Sequence, residues 1–520
     1  MRRPADISEV FLDGHELQLE ELVAVSRYEA KVRMTDETYD RMQKTRALVK
    51  KIIDENRVAY GITTGFGDLA KIAVDRKESN TLSSNLILSH CVATGDPYLR
   101  EQVRGMMFLL CNSLSKGYSG CRPLLVKNLI EMLNKGVTPV VPQKGSLGAS
   151  GDLAPLSHVA LLLLGKGRAE YEGEILEGKD AMEKAGIGII DTLVNKEGLA
   201  LTNGTHVMTA LAALNVYDAL KLADLADVCA SMSFTALQGQ LNAYDPRIHE
   251  LRGQKGQKKV AEKLLHILEG SRMVNEAQGQ RVQDAYSLRC VPQVHGACRD
   301  ALDHVLHVVK NELNAVTDNP LLFGEDEAVI SGGNFHGEPI ALAMDYLGIA
   351  VSELASISER RTERMVNPNL SNGLTPFLAV NPGINSGYMI VQYSAASMVS
   401  ENKVLAHPAS VDSIPSSANQ EDFVSMGTTA ARKCSWIIQN STSVLAYELL
   451  TACQAIDIRN RLSGTKGGLS KPLQDVYELV RKDIAFLEED RELRIDIEKI
   501  ERLAREKDIP SMIDEYLRGE

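Results

Sequence analysis

A glycine- and serine-rich loop, residues 145–152 (Gly-Ser-Leu-Gly-Ala-Ser-Gly-Asp), is the part of the sequence whose chemistry most needs an explanation. It lies between Pro142 and Pro155 and leads into an apolar run, which predicts a tight loop before a buried helix rather than a flexible linker. Ser150 does not match a serine-hydrolase nucleophile, because the G-x-S-x-G motif requires glycine where Asp152 stands. No Gly-Lys-Ser/Thr follows, so a phosphate-binding loop is excluded as well.

A second glycine-rich segment, residues 60–67 (Tyr-Gly-Ile-Thr-Thr-Gly-Phe-Gly), carries one phenol, Tyr60. A Gly-x-Gly-x-x-Ala spacing from Gly65 formally matches a dinucleotide fingerprint, and Glu78 lies loosely in range as its acidic residue. The surrounding pattern is helical and lacks the strand-helix-strand unit of a Rossmann site, so we do not expect a nucleotide there. The segment instead predicts a flexible loop on which Tyr60 can serve as a general base.

Polar side chains recur where the sequence predicts that long helices begin. Gln283, Tyr286 and Arg289 are spaced three residues apart, and the segments 332–339 and 417–423 precede two further helices. Taken singly, such residues are often only helix caps or hydrogen-bonded turn residues. Sites in helical bundles are built from side chains on facing helices, so the three helix starts could instead converge at one end of a bundle.

Helical patterns dominate the chain after residue 205. Residues 206–229 are rich in alanine and leucine and contain no glycine or proline, which predicts one long helix. Apolar residues four and three apart over 302–316 predict a bundle helix that ends at Asn319-Pro320. Further long helices are predicted over residues 339–367, 386–406 and 424–455. The predicted fold class is all-α, with a central bundle of long helices.

The predicted domain organisation has two parts. Residues 1–205 form an N-terminal domain that carries both glycine-rich loops, and residues 206–520 form the long-helix domain. The charged segment 473–520 is predicted to be helical and peripheral within the second part. We find no internal repeat, low-complexity tract or clear interdomain linker.

The composition limits the classes of partner. A net charge of −12 and an aromatic content of 5% argue against binding of nucleic acid. The aliphatic run 159–164 is too short to span a bilayer, and no apolar stretch near the N-terminus resembles a signal peptide. The cysteines form no Cys-x-x-Cys pair, and His304 and His307 lack suitable carboxylate companions for zinc. We therefore expect a cytoplasmic protein with no metal, no membrane partner and no nucleic acid.

The triplet Ala149-Ser150-Gly151 and its surroundings resemble the signature of the histidine and aromatic amino acid ammonia-lyases. Further segments resemble this family in the expected order: 60–67, 201–205, 282–289, 330–339, 385–387 and 411–426. The resemblance covers most of the chain and implies an all-α fold similar to the fumarase and aspartase superfamily. In the family, the triplet cyclises into a 4-methylidene-imidazol-5-one (MIO), an electrophile that needs no external cofactor.

The resemblance also implies roles for single residues. The nitrogen of Gly151 attacks the carbonyl of Ala149, and loss of two waters leaves a methylidene where Ser150 had its hydroxyl. Tyr60 is the catalytic base, and Arg289 pairs with the substrate carboxylate, for which its planar guanidinium is suited. The other implied site residues are Asn203 and Tyr286, which support the electrophile, and Gln283 and Phe335, which line the pocket.

Two positions indicate which amino acid is the substrate. Ser89-His90 resembles the histidine-specific members, and Glu421 lies in a Gln-Glu-Asp pattern that is typical of them. Both His90 and Glu421 can hydrogen-bond a substrate imidazole, whereas a phenyl ring offers them no partner. The resemblance thus implies elimination of ammonia from L-histidine to give trans-urocanate, the first step of histidine degradation. The sequence departs from the family at Thr63, where asparagine is usual, and at Phe423, where histidine is common.

Two alternatives remain open: a phenylalanine or tyrosine ammonia-lyase or aminomutase that uses the same MIO group, and a helical scaffold without activity. Retention of Tyr60 together with the triplet speaks against the scaffold. We also expect a homotetramer, because the helix over 424–455 has few polar residues on most faces. In the family, residues of several subunits complete each site.

Overall fold

Helices form most of the described part of the protein, of which 61% is helical and 8% is strand. The computed structural model describes residues 3–55, 57–64 and 79–518. The predicted all-α fold class is confirmed. The helices in the described residues are α1 (Leu19–Arg27), α2 (Asp36–Asp54), α3 (Ser79–His90), α4 (Arg100–Ser115), α5 (Pro123–Lys135), α6 (Leu153–Leu163), α7 (Gly178–Lys184), α8 (Glu197–Thr202), α9 (His206–Ala236), α10 (Pro246–Arg252), α11 (Lys255–Leu268), α12 (Arg272–Asn275), α13 (Tyr286–Arg289), α14 (Val291–Leu313), α15 (Glu338–Val366), α16 (Met389–Leu405), α17 (Gly427–Ser463), α18 (Lys471–Asp483), α19 (Leu493–Glu506) and α20 (Ile509–Arg518).

The strands are short and pair only in small sheets. They are β1 (Glu9–Leu12), β2 (Lys31–Met34), β3 (Thr94–Pro97), β4 (Thr138–Pro139), β5 (Pro142–Lys144), β6 (Arg168–Tyr171), β7 (Glu174–Glu177), β8 (Leu321–Phe323) and β9 (Ala328–Ile330). Strands β1 and β2 pair in parallel, in the register Glu9 to Lys31, and the pairs β3-β5, β4-β6-β7 and β8-β9 are antiparallel.

The chain divides into two units, each of which is assembled from three segments. Unit 1 comprises Met1–Tyr217, Leu306–Asp345 and Pro408–Arg432. Unit 2 comprises Asp218–Val305, Tyr346–His407 and Lys433–Glu520. Unit 1 thus takes in segments from both sides of residue 205, and the division into residues 1–205 and 206–520 stays a prediction.

The predicted long helices are present, but several of their ends differ from the prediction, as in α14 and α17. Helix α14 ends at Leu313, before the predicted Asn319-Pro320, and the side chain of the next residue, Asn314, hydrogen-bonds the backbone N–H and carbonyl of Leu17. Helix α17 begins at Gly427 rather than at residue 424. Met426 has a left-handed φ of 54° and donates its N–H to the carbonyl of Leu147, so it cannot be helical.

Three helices of unit 1 position the glycine-serine loop. Helix α6 begins directly after this loop and is almost entirely buried, as predicted. Helices α3, α6 and α8 pack against one another. Helix α3 ends at His90 and α8 ends just before Asn203, so the packing of these helices holds both residues in fixed positions.

Unit 2 encloses charged groups that are paired with one another. The guanidinium of Arg361 on α15 forms a bidentate ion pair with Glu448 on α17, and both side chains are fully buried. Ser233 on α9 donates a further hydrogen bond of 2.6 Å to the same carboxylate. These contacts offset the cost of removing two charges from water, and loss of one partner would leave the other unpaired.

One helix of the described residues, α15, is long and apolar enough to cross a membrane, with a mean hydropathy of 1.5 in its most apolar stretch. Within the protein, 67% of that stretch is buried. This burial is typical of a helix in a protein core.

Candidate active site

The glycine-serine loop is fixed by the segment that precedes α9. Gly151 and Gly204 form a parallel β-bridge. Gly204 donates its N–H to the carbonyl of Ser150 at 3.2 Å, and Asp152 donates its N–H to the carbonyl of Gly204 at 2.8 Å. The backbone of the triplet therefore lies directly beside Asn203.

Two glycines of the loop have no room for a side chain. Gly151 has a φ of 73°, and a Cβ there would lie 2.0 Å from the carbonyl oxygen of Gly204. Gly148 has a φ of 69°, and a Cβ there would lie 2.2 Å from the Oγ of Ser425. Both positions require glycine for its backbone conformation and for its lack of a side chain.

The carboxylate of Asp152 connects the loop to two helix starts. Its Oδ2 accepts the backbone N–H groups of Val207 and Met208 at 2.9 Å each, at the beginning of α9. Its Oδ1 accepts hydrogen bonds from Ser146, at 2.9 Å, and from Thr428. Complete burial raises the pKa of Asp152, and these hydrogen bonds oppose the rise. Asp152 thus fixes the loop against α9 and α17.

A cavity of about 1480 Å³ in unit 1 opens beside this loop. Among its lining residues are seven of those predicted from sequence: Tyr60, His90, Ala149, Ser150, Asn203, Phe335 and Glu421. Gly151 follows the last loop residue that lines the cavity. The helix starts at 332–339 and 417–423 therefore do converge on one site.

Glu421 is held against Ser150 by a small hairpin. Ser416 and Glu421 form an antiparallel β-bridge, and residues 417–419 between them all have left-handed φ values. The carboxylate of Glu421 accepts a hydrogen bond of 2.7 Å from the Ser150 hydroxyl and one of 2.8 Å from the Ser416 hydroxyl. Glu421 therefore has a fixed position at the triplet.

His90 brings an imidazole to the same cavity from the last residue of α3. Its Nδ1 lies 2.9 Å from the Oγ of Ser89. Burial lowers the pKa of His90, opposed by the backbone carbonyl of Leu86 and by the charge of Glu421. The ring is therefore neutral near pH 7, so it can accept one hydrogen bond and donate another.

Asn203 is oriented by a buried ion pair. Its Nδ2 donates to Asp318 at 3.2 Å and to the carbonyl of Asn319 at 3.4 Å. The other carboxylate oxygen of Asp318 lies 2.6 Å from the Nζ of Lys196, and both charged groups are buried. Because the amide NH2 of Asn203 is occupied in this way, its carbonyl oxygen remains as an acceptor beside the loop. Lys196 and Asp318 belong to none of the motifs recognised in the sequence.

Tyr60 lies in a turn that Thr63 closes. The hydroxyl of Thr63 accepts the N–H of Ala59 at 2.9 Å and donates to the carbonyl of Arg57 at 2.9 Å. The threonine at this departure from the family therefore has a local structural role. The dinucleotide-like glycines and Glu78 lie outside the described residues.

Phe423, the second departure, stacks on His336. The two ring centroids are 5.9 Å apart with an interplanar angle of 16°, and both residues line the cavity. The sequence analysis did not single out His336, although the segment 332–339 contains it. The departure at Phe423 therefore places an aromatic pair at the cavity.

Comparison with known proteins identifies the family. The sequence model of the aromatic amino acid lyases matches residues 17–482. The chain belongs to the aromatic amino acid lyase family. The predictions of the family and of a lyase are confirmed.

Individual members of the aromatic amino acid lyase family match over nearly their full length. A histidine ammonia-lyase 1 of Fusobacterium nucleatum is 50% identical over 98% of this chain and 98% of its own. A histidine ammonia-lyase of Caldanaerobacter subterraneus is 52% identical over 94% of this chain and 95% of its own. The crystal structure of histidine ammonia-lyase from Trypanosoma cruzi superposes with a TM-score of 0.90 at 41% identity, covering 98% of this chain and 95% of that chain.

Three of the predicted site residues of this lyase belong to unit 2 and do not line the cavity. Arg289 donates a hydrogen bond of 2.6 Å to Gln283, and its guanidinium carbon lies 4.7 Å from the centroid of the Tyr286 ring. The Tyr286 side chain is highly exposed. The sequence correctly grouped these three residues with one another, but within one chain they are not among the lining residues of the cavity.

The part of the lyase chain that the structure describes contains no group of three or more histidine, cysteine, aspartate or glutamate side chains that could hold a metal ion. His304 packs edge-on against Tyr346, with ring centroids 6.1 Å apart. This contact is an ordinary packing interaction between aromatic rings.

Proposed function

We propose that this lyase eliminates ammonia from L-histidine and releases trans-urocanate, the first step of histidine degradation. The observation that carries the proposal is the presence of His90 and Glu421 in one cavity with the Ala149–Gly151 loop. An imidazole and a carboxylate suit a substrate ring with nitrogen atoms. The similarity to histidine ammonia-lyases of two bacteria supports the same substrate.

The proposal includes formation of MIO from Ala149, Ser150 and Gly151, without an external cofactor. The loop fits this group, because the cradle around Gly151 excludes even a Cβ and because the Ser150 hydroxyl lies beside a carboxylate. In this cyclisation the Gly151 nitrogen bonds to the Ala149 carbonyl carbon and two waters leave. MIO then supplies the electrophile that the twenty standard side chains lack.

The side chains around the loop have complementary tasks in the elimination. Tyr60 removes a proton from the β-carbon of histidine, the bond between the α-carbon and nitrogen breaks, and a double bond forms between the two carbons. Glu421 and His90 hold the imidazole. Asn203 supports the electrophile through its carbonyl oxygen. Phe335 lines the pocket.

In this proposal the protein is a homotetramer, and other subunits supply three residues to each site: Arg289, Tyr286 and Gln283. Arg289 pairs with the substrate carboxylate, Tyr286 supports the electrophile and Gln283 lines the pocket. The exposure of Tyr286 supports this arrangement, because a site residue that faces solvent in one chain is available to a second. We place the enzyme in the cytoplasm, with L-histidine as its small-molecule substrate, and assign the triplet loop to an N-terminal domain of residues 1–205.

The experiment that tests the function is an assay of the purified protein with histidine, phenylalanine and tyrosine, followed by the near-ultraviolet absorbance of the products. We expect turnover of histidine. The intact mass of the chain should be lower by two waters, and Ser150→Ala should have its full mass and almost no activity. An active wild-type chain of full mass would exclude MIO, and exclusive turnover of phenylalanine or tyrosine would exclude the histidine assignment.

The specificity residue His90 offers a second test. His90→Phe should weaken turnover of histidine and admit some phenylalanine, because it replaces a polar ring with an apolar one at the substrate ring. His266→Phe, on an exposed face of unit 2, is the control. If His90→Phe only lowers the melting temperature, His90 is not part of the site.

A further inference from the structure

The last turn of α3 places the Ser89 hydroxyl between the Leu86 carbonyl and the His90 ring. The Oγ of Ser89 lies 3.2 Å from the carbonyl oxygen of Leu86 and 2.9 Å from the Nδ1 of His90. The backbone carbonyl of Leu86 also raises the pKa of His90, against the lowering by burial. Among the described residues, Nε2 has no hydrogen-bond partner, and His90 lines the cavity.

These contacts decide which ring nitrogen carries the hydrogen. A carbonyl oxygen can only accept, so the Ser89 hydroxyl donates its single hydrogen to Leu86. Its oxygen is then an acceptor for His90, which requires a hydrogen on Nδ1. In the opposite tautomer Nδ1 carries a lone pair, so the Ser89 hydroxyl would have to give its hydrogen to Nδ1 and would lose its hydrogen bond to Leu86.

The charge of Glu421 also raises the pKa of His90. Glu421 and His90 make no direct hydrogen bond in the described part of the chain, and the carboxylate already accepts from Ser150 and Ser416. The direct contact between Nδ1 and the Ser89 oxygen therefore decides the tautomer. Since burial keeps the ring neutral, Nε2 is left with a lone pair.

We propose that Ser89 is a positioning residue that fixes His90 as its Nδ1–H tautomer, so that Nε2 accepts a hydrogen bond from an N–H of the substrate imidazole. This inference rests on the proposed histidine ammonia-lyase activity. It makes the specificity of the site depend on a hydroxyl that need not touch the substrate. A phenyl ring has no N–H to satisfy this acceptor.

The test compares Ser89→Ala with Ser89→Thr, which keeps the hydroxyl, and with Ser84→Ala, which removes the same atom from the same helix without a contact to His90. We expect Ser89→Ala to lower kcat/KM for histidine about tenfold, mainly through KM, because one hydrogen bond to the bound ring is misdirected. Ser89→Thr should restore most of this loss. Ser84→Ala should match the wild type.

A second readout observes the tautomer directly. Solid-state 15N NMR of protein with labelled histidine rings, with the His90 signal assigned by comparison with His90→Gln, should show the hydrogen on Nδ1 in the wild type. Ser89→Ala should show a mixture of both tautomers. A wild-type signal with the hydrogen on Nε2, or a Ser89→Ala variant with unchanged KM and unchanged tautomer, would overturn the inference. A wild type that is inactive on histidine would overturn the proposed function, while the NMR signal would still decide the tautomer.

Discussion

At the scale of single residues, the Glu421 carboxylate connects the triplet loop to the cavity. Glu421 has both carboxylate oxygens occupied by hydroxyl donors, one of which belongs to the triplet itself. Conversion of Ser150 to a methylidene would remove one of these donors and free that carboxylate oxygen for the substrate. Before cyclisation, the Ser150 hydroxyl therefore occupies a carboxylate oxygen of Glu421 that would bind the substrate after cyclisation.

Substitution of Glu421 by glutamine tests this role. Glu421→Gln preserves the shape and the contact with Ser416 but loses the charge and the ability to take up a proton, so turnover of histidine should fall about 10²- to 10⁴-fold. The intact mass should still be lower by two waters. Glu325→Gln removes an exposed charge from the same unit and is the control. A normal rate per molecule combined with a lower melting temperature would assign Glu421 a structural role only.

Motif recognition could predict several residues that line the cavity, but it could not predict what orients them. Tyr60, Asn203 and Glu421 lie in recognisable segments, and all three line the cavity. The ion pair between Lys196 and Asp318 joins positions 122 residues apart, and neither residue belongs to a catalytic pattern. Such a pair depends on tertiary packing, which spacing within one segment does not reveal.

At the scale of elements, the triplet loop depends on the segment at Gly204. The closeness of the two backbones leaves no space at Gly151, whereas Gly173, with a similar φ of 83°, has nothing within 4 Å of a Cβ. The two glycines therefore have a similar backbone conformation but differ in the space around them. This difference allows a matched comparison.

Substitution of Gly173 and of Gly151 by alanine should separate the effect of backbone strain from the effect of a Cβ that has no space. Gly173→Ala should cost about 1 kcal/mol of stability from its left-handed conformation and leave activity intact. Gly151→Ala should displace the loop from Gly204, so that the chain keeps its full mass and loses activity. Intact mass and the histidine assay measure both outcomes. A Gly151→Ala chain that still loses two waters would show that the loop tolerates the displacement.

The start of α9 makes a pH-dependent contribution to stability. His206, the first residue of this helix, is buried, and neither ring nitrogen has a hydrogen-bond partner among the described residues. Burial lowers its pKa from 6.5 to about 4, opposed by the charge of Asp318. Between these two pH values the unfolded chain takes up a proton that the folded chain does not, so the free energy of unfolding decreases as the pH falls.

This contribution predicts that His206→Gln is less sensitive to acid than the wild type. Between pH 7 and pH 5 the wild type should lose about 2 kcal/mol more unfolding free energy than the variant, since the window begins at 6.5. Urea unfolding at both pH values measures the difference. His266→Gln removes an exposed histidine as the control. Equal losses in wild type and His206→Gln would contradict the assignment.

The long helices could be predicted from the sequence more reliably than their ends. The prediction for α9 ended at residue 229, but the helix continues to Ala236. The hydroxyls of Ser231 and Thr235 are buried and donate to carbonyls one turn earlier, so the helix backbone itself satisfies these polar side chains. The side chain of Asn314, directly after α14, hydrogen-bonds Leu17, 297 residues away in sequence, and no local pattern predicts such a contact.

At the scale of the whole molecule, the structure indicates a different surface for oligomerisation from the one predicted from the sequence. The sequence predicted that the helix over 424–455 needs partners from other subunits, yet residues 443–456 are buried within one chain. Large apolar side chains are exposed elsewhere in unit 2: Ile349 on α15 and Ile390, Tyr393 and Val404 on α16. Exposed apolar side chains on long helices are typical of surfaces that bind other proteins.

Mixed tetramers test whether the sites are shared. Ser150→Ala inactivates the triplet in unit 1, and Arg289→Ala removes the proposed carboxylate partner in unit 2, so each variant alone should be inactive. If each site combines the triplet of one subunit with Arg289 of another, random mixing by co-expression should restore about one quarter of the wild-type sites. Each restored site would contain Ser150 from one chain and Arg289 from the other. Light scattering should report a tetramer for both variants and for the mixture, and co-expressed tetramers without activity would show that each site is built within a single chain.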